Sequence, residues 1–272
     1  MEQRRKILLL LLILCFFSAL AILFGIYDLP ISQYIVNTAS PFGLGMELLG
    51  MLVAPYLVAS SGMVIFSYCQ KQAELKHRPA GMLLGGLLTA GGLAYSGWIY
   101  AQASLLICIT AVLLTGIAAG ALAYYLLPKS AEELWEFFRI SVTGVVYMVL
   151  VLVVINLFKV FWGRVRFREM EGDFSLFSPW FLPQGINGHR SFPSGHTSNA
   201  ATLYIVTMFA PFCRKNWKRA LCYLIPILWI MVMAVSRVLV GAHFASDVLF
   251  GAGISIALFY IARRFVNRKW MH

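Results

Sequence analysis

The chain has 272 residues, of which 60% are hydrophobic and 12% charged, and its mean hydropathy is +0.79. This composition excludes an ordinary soluble domain and is typical of an all-α helix bundle that crosses a membrane several times. The net charge of +11 has two explanations in such a protein, namely loops at an anionic membrane leaflet and a separate basic cluster.

Eight apolar segments are long enough to cross the hydrocarbon core, which takes about 20 residues of α-helix. A cleaved signal peptide is the alternative for the first segment. Its apolar run exceeds the ~7–15 residues of a signal core and no small-x-small cleavage site follows, which favours a retained helix. The predicted spans are 7–27, 48–69, 80–100, 103–127, 136–158, 195–212, 219–240 and 244–262.

The first 130 residues show little chemistry, and we interpret them as N-terminal transmembrane hairpins of unknown role. Residues 28–47 are predicted to form an outer loop. The glycines of the third and fourth spans predict close helix packing, because no strand precedes them and no lysine follows as in a phosphate loop. The five cysteines are widely spaced, which favours apolar core residues over a disulfide framework or a metal site.

The lysines and arginines are unevenly distributed along the chain. With both termini in the cytoplasm, all but six of the 22 fall in cytoplasmic segments, as the positive-inside rule requires. We therefore predict a multi-pass protein of the plasma (inner) membrane. Solvated loops or contacts with lipid headgroups would explain single exceptions, but together they predict an anion site on the outer face. The six lie at the outer ends of the last four spans or in the long loop between two of them: Lys159, Arg164, Arg166, Arg168, Arg190 and Arg237.

The segment Pro193-Ser194-Gly195-His196 lies where a loop becomes the sixth span. A helix N-terminus offers unpaired amides and the positive end of the helix dipole, which suits a phosphate group. Serine supplies a hydroxyl and glycine lets the backbone approach an anion closely. Simple helix capping is the alternative interpretation of this motif.

The stretch from Ser236 to Asp247 places Arg237, His243 and Asp247 inside apolar sequence. An ionisable residue at membrane depth is costly and by default indicates function. If the last helix begins near His243, then His243 and Asp247 share one face and the carboxylate can accept from the imidazole. The pattern indicates a nucleophile, its orienting carboxylate and an anion ligand.

Lys159 and Arg166 are separated by six residues, which adds a first motif to the two just described. The three motifs together resemble the signature of the lipid phosphate phosphatase superfamily, also called type 2 phosphatidic acid phosphatases. That signature is Lys-x6-Arg-Pro, Pro-Ser-Gly-His and Ser-Arg-x5-His-x3-Asp, and the resemblance covers about residues 137–265. It implies that 131–272 is the catalytic transmembrane core, built from the last four spans. Phe167 stands where the family has proline, which leaves the loop geometry open, and the chain has more spans before the first motif than the family leads us to expect.

The resemblance also implies roles for individual residues. His243 becomes the nucleophile, Asp247 orients its ring, and His196 becomes the general acid and later the base that activates water. The phosphate-binding residues become Lys159, Arg166, Ser194, Gly195 and Arg237, with Arg164 and Arg190 as further candidates for that contact.

The predicted activity is hydrolysis of a lipid phosphate or diphosphate without a metal or other cofactor, because no acidic ligand set for Mg²⁺ accompanies the motifs. Undecaprenyl diphosphate is slightly favoured over phosphatidate and phosphatidylglycerol phosphate. The expected partners are the lipid substrate and the bilayer, with no nucleic acid. A lipid phosphotransferase that uses the same phosphohistidine is the alternative, and a non-catalytic anion or lipid transporter is a third hypothesis.

Overall fold

The structure is a computed structural model, and it describes residues 2–72, 74–101 and 131–270. Every regular element in those ranges is helical, which confirms the predicted all-α class. Three 3₁₀ helices also occur, at Phe167–Glu169, Phe174–Leu176 and Thr202–Phe212. The α-helices are α1 (Glu2–Ile35), α2 (Pro41–Lys71), α3 (Arg78–Ala101), α4 (Ala131–Trp162), α5 (Gly195–Ala201), α6 (Asn216–Leu239) and α7 (Ala245–Trp270).

Six helical segments in the described part of the chain are long and apolar enough to cross a membrane. The multi-pass architecture predicted from hydropathy is therefore confirmed, whereas the number of eight spans stays a prediction. The span predicted at 103–127 lies outside the described residues. The six segments are Gln3–Ile35, Pro41–Lys71, Arg78–Ile99, Glu132–Glu169, Asn216–Leu239 and Ala245–Arg268.

The segment predicted as the sixth span, 195–212, is α5 followed directly by the 3₁₀ helix Thr202–Phe212. A 3₁₀ helix rises about 2.0 Å per residue against about 1.5 Å in an α-helix. At those rises the two helices together extend about 32 Å, which is close to the hydrocarbon thickness of about 30 Å. The segment is thus long enough for the predicted span despite its short α-helix.

The side chains of α1 indicate a helix that faces lipid. Every residue from Ile7 to Leu14 is more than half exposed, although all are large and apolar. Exposed apolar surface of this extent is unfavourable in water and is expected against acyl chains.

The prediction of an outer loop over residues 28–47 is wrong, because α1 continues to Ile35 and α2 already begins at Pro41. Pro30 lies inside α1, where it removes one helical hydrogen bond. The side chain of Asp28, two residues earlier, is fully buried. Tertiary contacts of this carboxylate, described below, hold the helix in a region where the sequence indicated a loop.

The described helices form two compact units. The first combines Met1–Glu47, Val154–Ser198 and Ile230–Ile254, and the second combines Leu48–Val153, Asn199–Trp229 and Ser255–His272. The boundary predicted at residue 130 falls outside the described residues. The division into 1–130 and 131–272 therefore stays a prediction.

In the first unit, the loop between α4 and α5 packs against α1. Trp180 Nε1 donates a hydrogen bond of 2.8 Å to the Ala21 carbonyl, and the Trp180 ring lies 4.4 Å from the Phe250 ring. A second apolar cluster consists of Val165, Met170 and Phe244 with Phe167 against it. These contacts fix the loop that carries Arg164, Arg166 and Arg190.

The second unit shows the close helix packing predicted from glycines. A Cβ at Gly85 would lie 2.6 Å from the Phe66 nitrogen, and one at Gly92 would lie 2.5 Å from the Pro55 carbonyl. Only a residue without a side chain permits α2 and α3 to approach this closely. The predicted packing role is confirmed for these two glycines, whereas Gly116 and Gly120 lie outside the described residues.

Candidate active site

All three predicted motifs lie in the first compact unit. Lys159 is in the last turn of α4, and Arg237 is in the last turn of α6. His196 is the second residue of α5, and Asp247 is in the first turn of α7. The fold therefore brings the ends of four helices together, and each end carries one or more predicted site residues.

The orientation of the His243 ring is fixed by a backbone carbonyl. Nδ1 lies 2.7 Å from the carbonyl oxygen of Ser191. A carbonyl only accepts hydrogen bonds, so Nδ1 carries the proton and Nε2 keeps its lone pair. His243 is thereby held in the tautomer that can attack through Nε2.

The predicted pairing of His243 with Asp247 is correct in proximity and wrong in local geometry. Helix α7 begins at Ala245, so His243 lies in the preceding turn instead of on a shared helix face. Asp247 Oδ2 is 3.7 Å from His243 Nδ1, which is ion-pair distance but too long for a hydrogen bond. Asp247 therefore acts on the ring by its charge, while the Ser191 carbonyl accepts the hydrogen bond from Nδ1.

The turn that carries His243 lies between the membrane-spanning helices α6 and α7. Burial lowers the pKa of His243 to about 4, and the positive charges of Lys159 and Arg166 add to the effect, whereas Asp247 opposes it. The imidazole is consequently neutral at pH 7, as a nucleophile must be. Burial makes the largest contribution to this shift of the pKa.

Asp247 is fully buried, and both its oxygens accept hydrogen bonds. Oδ2 accepts from Ser191 Oγ at 2.5 Å and from the Phe244 amide at 2.9 Å, and Oδ1 accepts from Arg164 Nη1 at 2.6 Å. The bond to the Phe244 amide also satisfies an orphan donor at the start of α7. Asp247 is thus fixed from three sides, and Ser191 links it to His243.

Arg164 lies deep in this network, with only 1% of its surface exposed. Its Nε donates to the Ser178 carbonyl at 2.8 Å, and its Nη2 donates to Asp28 Oδ2 at 2.9 Å. Each guanidinium nitrogen therefore has a protein acceptor, since Nη1 binds Asp247. The structure places Arg164 against Asp247, and its predicted contact with phosphate stays untested.

His196 has a ring nitrogen without a protein partner. Its Nε2 is buried and has no hydrogen-bond partner among the described residues. The ring interacts electrostatically with His243, Arg237, Lys159 and Arg166. A buried polar atom without a protein partner is rare, and this nitrogen is able to bind a water or a ligand.

Lys159 lies directly against the start of α5. Its Nζ donates to the Arg190 carbonyl at 2.9 Å. A Cβ at Gly195 would lie 3.2 Å from Lys159 Cε, so glycine leaves room for the lysine side chain. Arg190 itself is exposed and contributes its carbonyl to this arrangement.

Arg166 and Arg237 both have carboxylate neighbours. Arg166 Nη1 lies 3.2 Å from Glu169 Oε1, while its Nε is buried and has no partner in the described part of the chain. Arg237 is fully buried, its Nη1 lies 3.0 Å from Glu47 Oε2, and its Nη2 donates to the Gly43 carbonyl. Arg166 thus keeps one unused donor, whereas Arg237 is held by the start of α2.

Ser194 has the capping role that the sequence left as the alternative. Its Oγ accepts from the Thr197 amide at 3.3 Å and from the Thr197 hydroxyl at 3.0 Å. Its backbone amide donates to the Asp247 carbonyl at 2.9 Å, which ties the start of α5 to α7. A contact between Ser194 and phosphate stays a prediction.

The position of the missing family proline is filled by an aromatic residue that packs. Phe167 begins a 3₁₀ turn in which the Met170 amide donates to the Phe167 carbonyl at 3.1 Å. Its ring stacks on Phe174 at 5.8 Å and meets Phe244 edge-on at 6.3 Å. Apolar packing thus fixes this loop beside Arg166 without a proline.

The sequence did not identify Asp28, Glu47 and Ser191 as members of the site. Asp28 did give a signal, since it is an acidic residue at the end of an apolar span. Ser191 gave none, because its carbonyl contacts His243 and any residue type has a carbonyl. Glu47 was assigned to the outer loop and appeared unrelated to Arg237.

The family model described as PAP2 superfamily matches residues 141–271. Lipid A 1-phosphatase of Rhizobium etli is 32% identical over 181 residues, which cover 64% of this chain and 67% of that protein. The chain belongs to the PAP2 superfamily. The resemblance predicted from the three motifs is confirmed.

Two further proteins are similar to this PAP2 chain. Phosphatidylglycerophosphatase B of Bacillus subtilis is 36% identical over 92 residues, which cover 32% of this chain and 44% of that relative, less than half its length. The crystal structure of a transmembrane PAP2-type phosphatidylglycerolphosphate phosphatase from Bacillus subtilis is 19% identical. It covers 84% of this chain and 98% of its own, with a TM-score of 0.35. The predicted class of enzyme, a phosphate hydrolase of membrane lipids, agrees with the names of these PAP2 proteins.

Proposed function

We propose that this protein hydrolyses a lipid phosphate or lipid diphosphate through a phosphohistidine on His243, at the outer face of the plasma membrane. The observation that carries the proposal is the contact between His243 Nδ1 and the Ser191 carbonyl at 2.7 Å. It leaves Nε2 with a lone pair in a buried cluster of cations, as attack on phosphorus requires.

In the first step, His243 Nε2 forms a bond to phosphorus while the bond from phosphorus to the leaving oxygen breaks. His196, which the bound phosphate dianion keeps protonated, gives that proton to the leaving oxygen, and the product departs as the alcohol or lipid monophosphate. Lys159 and Arg166 stabilise the negative charge on the phosphoryl oxygens. Asp247 offsets the positive charge that the His243 ring acquires in the phosphohistidine.

In the second step, His196 takes a proton from water as the water oxygen attacks phosphorus. The bond from phosphorus to His243 breaks, inorganic phosphate leaves, and the ring returns to its neutral form. No metal enters either step, since charge stabilisation comes from the cationic side chains.

The location of the site supports an amphiphilic substrate. Leu157 and Phe161 flank Lys159 on α4, and both are more than half exposed, as expected of side chains that contact lipid. The cations therefore lie at the end of a membrane helix, where a headgroup can bind while its tail stays in the bilayer. The positive-inside distribution favours the outer face for this end of α4.

Several substrates fit this description. Undecaprenyl diphosphate, phosphatidate and phosphatidylglycerol phosphate carry a terminal phosphate on a lipid tail. The names of the relatives suggest phosphatidylglycerophosphate and lipid A 1-phosphate as further substrates to test.

Release of inorganic phosphate by the purified protein from a panel of these lipids tests the proposal. We expect release from at least one lipid, no loss of activity in EDTA, and no release by the His243→Gln variant. His77→Gln, which changes an exposed histidine in a loop, is the matched control and keeps full activity. Unchanged release by His243→Gln would contradict the mechanism, and loss of activity in EDTA would contradict metal independence.

The same experiment with acceptor membranes separates hydrolysis from transfer. Label that moves from the lipid to an acceptor without free phosphate would show a phosphotransferase. Lipid binding without any turnover in the wild-type protein would favour the transporter hypothesis.

A further inference from the structure

A buried cluster of three charges connects α1 to the nucleophile. Asp28 and Asp247 are fully buried, and Arg164 between them is 1% exposed. Arg164 Nη2 lies 2.9 Å from Asp28 Oδ2, and Arg164 Nη1 lies 2.6 Å from Asp247 Oδ1. Charges that are buried in a membrane protein are costly unless they are paired, and such groups generally serve a function.

Asp28 also binds the residue that precedes Asp247 in α7. Its Oδ1 accepts from the Ser246 amide at 2.9 Å, and its Oδ2 accepts from the Ser246 hydroxyl. Arg164 Nη1 adds a contact of 2.8 Å to the same hydroxyl. Each partner of Asp28 is a donor, which fits an ionised carboxylate. The start of α7 is thereby fixed to α1.

The balance of charge shows what Asp28 contributes. Asp247 paired with Arg164 alone would be a neutral pair and would attract a positively charged His243 ring only weakly. With Asp28 included, the cluster carries one net negative charge while His243 is neutral. When His243 becomes a cationic phosphohistidine, the four groups are neutral together. The cluster therefore matches the charge that develops in the reaction, before the reaction begins.

We propose that Asp28 is a positioning residue for the nucleophile, which keeps the Asp247 carboxylate in place and keeps its charge effective by sharing Arg164. This inference depends on the proposed phosphohistidine mechanism. It assigns a role in the reaction to α1, which lies outside the segment 141–271 that matches the family. It also assigns Arg164 to the support of Asp247 instead of to phosphate.

The test is the Asp28→Asn variant of the full-length protein. Asparagine keeps an oxygen for the Ser246 amide, removes the charge and places an amide NH2 where Oδ2 accepts from Arg164 and Ser246. We expect kcat to fall about tenfold to a hundredfold, as is typical for a residue that supports a reactive group, with KM nearly unchanged. Asp173→Asn, which changes an exposed acid that caps a short helix, is the control and keeps wild-type kcat.

A double variant separates positioning from folding. Arg164→Gln leaves two buried like charges, so it lowers the melting temperature, and the addition of Asp28→Asn removes one of them and raises the melting temperature again. We expect kcat of the double variant to exceed that of Asp28→Asn, because Asp247 then carries one net negative charge that Arg164 no longer offsets, and it keeps its bonds to Ser191 and Phe244. A kcat that follows only the melting temperature across the three variants would show a purely structural role and would overturn the inference.

The failure of this inference is distinguishable from that of the proposed function. If the wild-type protein releases phosphate and Asp28→Asn does so at the same kcat, the inference on Asp28 is wrong and the proposed function stands. If the wild-type protein releases no phosphate from any lipid of the panel, the proposed function fails and the inference fails with it.

Discussion

The Asp247→Asn substitution measures what one buried charge contributes to the reaction. Asp247 Oδ2 lies 3.7 Å from His243 Nδ1. At an effective dielectric constant of about 20, a charge pair at about 4 Å interacts by about 4 kcal/mol, which corresponds to about a thousandfold in rate. The interaction arises only when the ring becomes positive in the phosphohistidine. We therefore expect kcat to fall by about a thousandfold while KM changes little.

The variant is expected to fold, because Arg164 retains Asp28 as its partner. Asparagine also offers an oxygen to the Phe244 amide, which keeps the start of α7 closed. The assay is steady-state phosphate release from a lipid phosphate in detergent micelles, with the melting temperature measured in parallel. A kcat within about threefold of wild type in a folded protein would refute the charge argument, since such a change is under 1 kcal/mol.

Two further predictions follow from the surroundings of His243. Ser191→Ala removes the hydroxyl that donates to Asp247 and keeps the carbonyl that accepts from His243, so kcat should fall about tenfold, as for one hydrogen bond to a charged group. A loss as large as that of Asp247→Asn would contradict this division of roles. Because burial lowers the pKa of His243 to about 4, its protonation should reduce kcat/KM only as the pH falls towards that value. Between pH 4 and about 6.5, His243 is protonated in the unfolded chain and neutral in the folded protein. The free energy of unfolding is therefore highest above this window and declines as the pH falls through it. A His243-dependent decline of kcat/KM centred near pH 6.5 would contradict the pH prediction.

The sequence was sufficient for the class of fold and for the main site residues because both depend on local patterns. Apolar segments of about 20 residues identify membrane helices without tertiary information. The motifs around Lys159, His196 and His243 are each short, and a nucleophile, an acid and an anion ligand are recognisable by residue type. The structure places all three of these residues in one unit.

The sequence was insufficient where distant segments meet. Asp28 and Arg164 are 136 positions apart, and no local pattern indicates their contact. The same contact explains the extent of α1, since a buried carboxylate with donors in α7 stabilises helix past the predicted end at residue 27. Arg164 illustrates the limit most clearly, because composition alone cannot distinguish an arginine that binds phosphate from one that holds a carboxylate.

The role of Ser191 was beyond sequence reasoning for another reason. Its backbone carbonyl determines the tautomer of His243, and backbone groups are the same in every residue. The predicted helix register from His243 to Asp247 gave the correct neighbours but the wrong hydrogen bond, because α7 begins two residues later than expected.

The covalent intermediate is the most direct test of the central claim, that His243 carries the phosphoryl group. The purified protein would be mixed with a lipid phosphate carrying a radiolabelled phosphate, quenched in alkaline detergent within a single turnover, and separated from lipid. We predict a label on the protein that is stable in base and labile in acid, as a phosphoramidate should be, and that is absent from His243→Gln. A wild-type protein that releases phosphate without ever carrying the label, or a label that persists in His243→Gln, would contradict the account.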